Sequence, residues 1–586
     1  MSTASKIASP DETQLHLFGE LPHSKAAPLL QSAVNSGRRF VTGDARAIFL
    51  GTTRLEEHLK QAGQTSAFTV ARLLDAQDWR PFEARYAATG RAPYAPRLML
   101  GLILYGVMQG LHSLRELERL ARLDLGCMWV TGGIAPDHAN IGRFIALHED
   151  SLTQDFFESL TRSILKASGS QSTRLAGDGT TIEAACSHYN LLKAEAVKER
   201  VEAASAALKS KPNDRAAQQE QLASAQCLAI LEERQRARQR SGRSTETLCI
   251  SGSEPEAMIQ RLKRGRGSAA SYKPSVLANA DRIITALAVD ASSETKVIAA
   301  MLDQSARVTG TPAEELLLDA GYFEDEVIAA TLEREVSLLC PEGQAPGVIK
   351  ASKVFHKSSF EYDPSTDTYR CPAGQILMLL KTYAATPSTR AHGLYGSSAC
   401  RDCPVRTSCT KRTQRRIQRH PEDEQRDALR QVMQQRQVRG IFSQRKAMVE
   451  PVFSHLRGQQ GLNRFRRSGL KAVKREFALH VMAYNLSRAV ALLRAVFVAL
   501  FVVANSLKTN ANNFYCRLQQ FIDEFLQPNF TSVFLRKNVL SEFCDSLLRG
   551  KARMGVRRFK LPYRILPSFS RAFSGNPVLA LIDVRS

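Results

Sequence analysis

Residues 316–340 read LLLDAGYFEDEVIAATLEREVSLLC. The leucines at 316–318 form a short apolar run that stops at Asp319 and predict a buried strand. Gly321 follows, then a helical pattern over about 324–333, then a second apolar run at 336–340. The spacing is that of a strand–helix–strand unit joined by a right-handed parallel crossover, which makes this part of the chain α/β. Asp319 then stands at the carboxyl end of its strand, where open α/β sheets hold their ligands. A helix N-cap is the other role open to Asp319, although Glu324 and Asp325 lie nearer the helix start.

Working outward, a second acid ends a strand-like run upstream. In STRLAGDGTTIEAAC the alternation from Leu175 leads into Asp178, and the glycines on either side let another group approach the backbone closely. Residues 282–290, RIITALAVD, predict a further strand. Between them, residues 190–240 are built of Ala, Glu, Lys, Gln and Arg and are interrupted by Lys211-Pro212-Asn213-Asp214. That composition predicts a helical hairpin, either an arm against DNA or a partner, or a solvated spacer.

Downstream, residues 442–484 are dense in Lys and Arg and carry only two acids, Glu450 and Glu476. Val449, Val452, Phe453 and Leu456 recur at helical spacing and seat one face on a core. Lys446, Glu450 and Arg457 share a second face, and Pro451 bends this helix or marks a turn near its start. A carboxylate on a rigid helix among cations suits a metal ligand beside a polyanion; the plainer role is an ion pair with Lys446 on a solvated face. Basic residues crowd residues 401–475, with Arg464, Arg466, Arg467, Lys471, Lys474 and Arg475 in one short stretch. Such a face neutralises phosphates.

The remaining signals frame this centre. Residues 1–40 are polar and weakly patterned. Pro96 starts a helix that is apolar nearly all round, and Ser113 with Glu116 forms a capping-box signature. After an irregular Gly-containing stretch, HANIGRFIALHE carries His138, Asn140 and Arg143. The pair of helices reads as a helix-turn-helix or as a plain bundle. Residues 360–370 predict a β-hairpin, which Cys371 ends, and Cys400, Cys403 and Cys409 follow. Four cysteines including a Cys-x-x-Cys pair suit a tetrahedral zinc site, with reduced free thiols as the other reading.

The chain has 586 residues, too many for one core, so about two to four domains are expected. Its 80 Lys and Arg against 57 Asp and Glu leave a net charge of +23. That excess favours a polyanionic partner, nucleic acid first and an anionic membrane second. Eleven scattered Cys and an opening without an apolar core point to a reducing cytoplasm. The apolar run at 489–504 is short for a membrane span and contains Arg494, so a buried helix is expected there. Residues 505–586 give no clear pattern.

Together, LAGDGTTIEA around Asp178, LLLDAGYFE around Asp319 and RKAMVEPVFSHLRG around Glu450 resemble the DDE transposases of bacterial insertion sequences. The helical start and the cysteine set resemble one large group of them, and the likeness runs over about 40–495. The related signature around the third acid spaces Tyr, Arg, Glu and Lys. Here Ser443 falls at the Tyr position, Lys446 at the Arg position with Arg445 one residue early, and Arg457 at the Lys position. The resemblance implies an α/β, RNase H-like mixed sheet flanked by helices. It adds an all-α N-terminal domain, a helical hairpin insertion and a small Cys-rich insertion.

The implied division is a loose N-terminus (1–40), a DNA-binding helical domain (41–168) and a catalytic first part (169–350, helical insertion about 190–245). A β-hairpin and Cys-rich insertion (351–420), catalytic helices with Glu450 (421–495) and a tail (496–586) follow. Asp178, Asp319 and Glu450 would then hold a pair of Mg²⁺ (or Mn²⁺) ions, their carboxylates within about 8 Å of one another. Cys371, Cys400, Cys403 and Cys409 would hold structural Zn²⁺. Arg143, Arg445, Lys446, Arg457, Arg464, Arg466 and Arg467 would bind double-stranded DNA, both terminal inverted repeats and target. The implied protein is a cytoplasmic, nucleoid-associated homodimer on DNA that cleaves element ends and transfers strands. The other readings are a structure-specific nuclease of the same fold and a non-catalytic zinc-bearing DNA-binding protein.

Overall fold

The computed structural model describes residues 31–508, apart from 36–37, 88, 149, 153, 188–189, 262–266, 344–354, 356 and 387–388. Expectations for residues 1–30 and 509–586 lie outside the described residues. The chain divides into two compact units, Met1–Ala71, Asp78–Gly106 and His112–Leu147 forming one, Arg72–Gln77, Val107–Leu111 and His148–Ser586 the other.

The first unit is mainly helical. Helix α1 (Pro96–Met108) begins at its proline and buries Met99, Leu100, Leu102, Ile103 and Leu104. Helix α2 (Leu114–Leu123) carries the capping box: Glu116 N donates to Ser113 Oγ at 3.2 Å, and Ser113 N donates to Glu116 Oε2 at 3.1 Å. The stretch read as irregular is instead a helix, α3 (Leu125–Thr131). Asp124 both ends α2 and caps α3, accepting from Cys127 N at 2.6 Å, and Gly132 closes α3 at φ 65°. Helix α4 (His138–Leu147) packs on α2 and buries Ile141, Phe144 and Ile145.

In the second unit α5 (Asp155–Ser168) leads into strand β1 (Arg174–Gly179). The predicted helical hairpin follows as α6 (Ala194–Ser210) and α7 (Arg215–Arg240). It has a small core of its own, Val197, Cys227 and Leu231 packed with Leu248 and Ile250. The chain then makes β2 (Ser268–Asn279), β3 (Ile284–Asp290), α8 (Ile298–Thr309), β4 (Glu315–Leu317), α9 (Asp325–Leu332) and β5 (Ser337–Leu339). The main path of the sheet runs β3-β2-β1-β4-β5. β2 is antiparallel to both β1 and β3, while β4 is parallel to β1 and β5. The strand–helix–strand expected from 316–340 is thus present as β4-α9-β5. Alternation puts Leu175, Leu277, Leu316 and Leu318 into one core with Ile298, Met301, Val327 and Ile328 of α8 and α9.

A second, five-stranded antiparallel sheet follows: β6 (Glu361–Asp363), β7 (Thr368–Arg370), β8 (Ile376–Tyr383), β9 (His392–Gly396) and β10 (Arg416–Arg419), in that order. The predicted hairpin is its first pair. Helices α10 (Asp423–Gln434), α11 (Arg445–Gly458) and α12 (Leu470–Lys508) complete the described chain. The apolar run at 489–504 lies within α12, where Ala489, Val490 and Leu493 are buried. Among the described residues no helix is long and apolar enough to cross a membrane. Helix α5, placed with the N-terminal domain on sequence grounds, packs against α8 and α12 and belongs to the second unit.

Candidate active site

Strand register builds the centre of the site. β4 pairs with β1 in parallel with Leu317 opposite Ala176. Two residues further along each chain stand Asp319 and Asp178. Side chains two apart share a face, so both carboxylates emerge side by side, away from the core under α8 and α9. On that face α11 packs against β1. Its first residue, Arg445, is buried, and its Nη2 lies 3.2 Å from Asp178 Oδ1 and 3.5 Å from Asp319 Oδ2. The same nitrogen donates to Gly177 O at 3.1 Å. One guanidinium therefore bridges the two aspartates.

Each carboxylate has one further hold. Asp178 Oδ1 accepts from Gly179 N and Asp319 Oδ1 from Gly321 N, both at 2.9 Å. The second of these makes Asp319 the cap of a short turn at Ala320–Tyr322, while Glu324 caps α9. Buried Cys340 donates through Sγ to the Asp319 carbonyl at 3.0 Å, and burial pushes its thiol up to about 12. Burial likewise raises the Asp178 carboxyl; Arg445 pulls it down, and Asp319 and Glu294 push it up, with a net rise.

Glu294 was not apparent from the sequence. Its carboxyl packs on Gly179, where an added Cβ would stand 2.7 Å from Glu294 Cδ, and it pairs with Lys273 at 3.3 Å. Nothing in SSETK singles this residue out. Gly179 is the one local signal, since a side chain there would displace Glu294.

Helix α11 is clasped to the sheet along its length. Arg174 Nη1 donates to Gln444 Oε1 at 2.9 Å, and Arg457 Nη2 donates to Thr181 O at 2.8 Å and to Thr180 Oγ1. The helix runs on through Pro451, which has no N–H for Ala447 O; Arg282 Nε donates to that carbonyl instead, at 3.0 Å. Glu450 is exposed on this helix, five residues or about 7.5 Å of axis from Arg445.

The cations expected to bind DNA thus divide. Arg445 faces the acids, Arg457 the backbone of residue 181, and Arg464 the carbonyls of Ala184 (3.0 Å) and Cys186. Lys446 and Arg466 are exposed, and Arg467 is half-buried. Arg466 and Arg467 give their backbone N–H groups to buried Glu476. In α4, exposed Arg143 donates to Asn140 Oδ1 at 2.7 Å, and His138 meets Glu118 at 2.8 Å.

Divalent ions such as Mg²⁺ take oxygen ligands, and two adjacent carboxylates already gathered around one positive charge are a donor set of that kind. Among the described residues, however, no group of three or more His, Cys, Asp or Glu side chains is arranged to hold a metal ion. Asp178 and Asp319 are brought together, and Glu450 does not complete such a group with them. The four cysteines line one cavity of about 20 Å³ beside Phe360 and Arg415, all as free thiols. Cys371 Sγ accepts from Gln375 N at 3.2 Å in a tight turn closed by Gly374 at φ 77°.

Two family models match this architecture. Residues 370–490, from β7 into α12, match the transposase DDE domain. Residues 55–147, the helical region, match a second model, the transposase domain (DUF772). Both matches are to transposase families, and together they support an insertion-sequence DDE transposase. A transposase family implies DNA as the partner, and the net charge of +23 suits a polyanion of that kind. The DDE match covers Glu450 and all four cysteines of the cavity but neither Asp178 nor Asp319. No curated protein and no solved structure matches the chain.

Proposed function

We propose that the chain cuts DNA at the ends of an insertion sequence and joins the freed ends to a target, using Asp178, Asp319 and Glu450 as its three acids. The observation that carries this reading is the register-paired Asp178 and Asp319, held around one cation on the helix that bears Glu450. The strand order β3-β2-β1-β4-β5, with β1–β3 antiparallel and β4 and β5 parallel to β1, supports an RNase H-like catalytic domain. Asp178, Asp319 and Glu450 would hold Mg²⁺ or Mn²⁺, which activates water or a DNA 3′-hydroxyl and stabilises charge on the leaving oxygen. The chain's part is to hold the acids and exclude water beneath α11. Exposed Lys446 and Arg466 would neutralise phosphate, and Cys371, Cys400, Cys403 and Cys409 would hold zinc.

Glu450→Gln tests this directly. It keeps side-chain size and removes the charge, so terminal-repeat binding should persist with the same salt dependence. Cleavage and joining should fall a thousandfold or more, roughly the loss expected for a several-kcal/mol ligand interaction. Near-normal cleavage by the purified variant would remove Glu450 from the site. A second reading, a zinc-bearing DNA-binding protein without catalysis, draws on the cysteine cavity and the ungrouped third acid. It requires wild-type protein to bind the repeats and never cut them with Mg²⁺ or Mn²⁺ present.

A further inference from the structure

We propose that Arg445 is a resident counter-cation of the acid pair, competing with a divalent ion for Asp178 and Asp319 rather than assisting its binding. The inference rests on the metal-holding role given to these aspartates above. Two carboxylates side by side on a half-buried face repel each other, and a positive charge between them relieves that cost. Arg445 supplies it from a side chain only 6% exposed. The manner of the contact is telling. Arg–carboxylate pairs frequently meet through two nitrogens in parallel. Here one nitrogen, Nη2, faces three oxygens, Gly177 O at 3.1 Å, Asp178 Oδ1 at 3.2 Å and Asp319 Oδ2 at 3.5 Å. It carries only two hydrogens, so the three cannot all be fully served. Nε of Arg445 is buried with no acceptor at all. Apart from its hydrogen bond to Gly177 O, the arginine is thus held to the two acids by charge, in the place a metal ion would claim. Its helix is anchored independently, through Arg174, Arg282 and Arg457, so the side chain can leave without undocking α11.

The test is Mn²⁺ binding to the full-length chain without DNA, followed by the paramagnetic resonance signal of free Mn²⁺. Arg445→Gln should tighten binding about tenfold or more, because the ion no longer displaces a cation. Arg445→Lys, whose shorter arm reaches one carboxylate at best, should tighten it by a smaller factor and serves if the Gln variant does not fold. Asp178→Asn should abolish binding. Equal or weaker binding by the Arg445 variants, with Asp178→Asn still abolishing it, would overturn the competition and make Arg445 a positioning residue, leaving the acid-pair reading intact. Absence of Mn²⁺ binding by wild type and Arg445 variants alike would overturn both.

Discussion

Arg282 adopts a φ of 63°, a left-handed conformation that costs a residue with a Cβ about 1 kcal/mol or more. It turns the corner between β2 and β3, and from there its guanidinium reaches the carbonyl of Ala447 that Pro451 leaves without a helical donor. Arg282→Ala should therefore keep the strain and lose the bond, destabilising the fold by about 1–2 kcal/mol in urea melts. In a Pro451→Ala background, where residue 451 regains its N–H, the same change should cost measurably less. Additive losses would show that the contribution of Arg282 does not depend on the N–H missing at Pro451. His455, on the same helix, gives a pH prediction. Burial, aided by Arg488, lowers its pKa from 6.5. The folded state thus prefers neutral imidazole, while the unfolded chain takes up a proton below 6.5. Stability should be full above that value and fall as the pH drops through it. His455→Phe, which retains the edge-on packing against Tyr484, should flatten this part of the profile. Asp178 and Asp319 were legible because each ends an apolar run. The role of Arg445 was not, because its contact with Gly177 spans 268 residues and no local pattern encodes it.

Among the elements, the parallel unit and the helical hairpin were legible from periodicity and from the Pro-Asn-Asp break. Helix α3 was hidden because Asp124 serves two helices at once. Of the second sheet only the first hairpin could be read. β8 buries Leu377 and exposes its other residues, so the alternation that marks a half-buried strand is missing. Helix α10 shows how charge fastens an element after the apolar code runs out. Arg426 Nε lies 2.5 Å from Asp325 Oδ1, Arg390 Nη2 lies 3.0 Å from Asp325 Oδ2, and Arg430 binds both oxygens of Glu342 at 2.7 Å. Burial works to raise the Asp325 carboxyl, but the bonds from Arg426 and Arg390 outweigh it and hold it below 3.8. Its contribution is present above that value and is lost as the pH falls through the lower folded one. Asp325→Asn should cost about 1 kcal/mol at neutral pH, discounted for the partial exposure of the pair, and progressively less as the pH falls below 3.8. Faster amide exchange in α10, with β1 and β4 unchanged, would locate the effect.

Across the whole molecule, the surplus of basic residues is not all available to DNA. Arg457 and Arg464 serve the fold, whereas Arg466 and Lys474 are exposed. Arg466→Ala should weaken terminal-repeat binding uniformly and reduce its logarithmic salt slope by about one. Arg457→Ala should instead lower the melting temperature and leave that slope alone in the protein that still folds. Composition revealed the surplus but not this division, which depends on carbonyls brought in from residues 181–186.

The long reach of Arg445 has a consequence for the cell that makes this protein. Synthesis runs from the N-terminus, and units fold as they emerge. Asp178 and Asp319 can pair as soon as β1 and β4 are out, but the helix that covers and neutralises them begins only at Arg445. A nascent or prematurely terminated chain ending before that residue would carry the helical N-terminal region and the bare acid pair, yet neither α11 nor Glu450. On the catalytic reading proposed above, fragments of that kind lack the third acid and would not cut DNA, so the order of segments along the chain would act as a safety on the completed product.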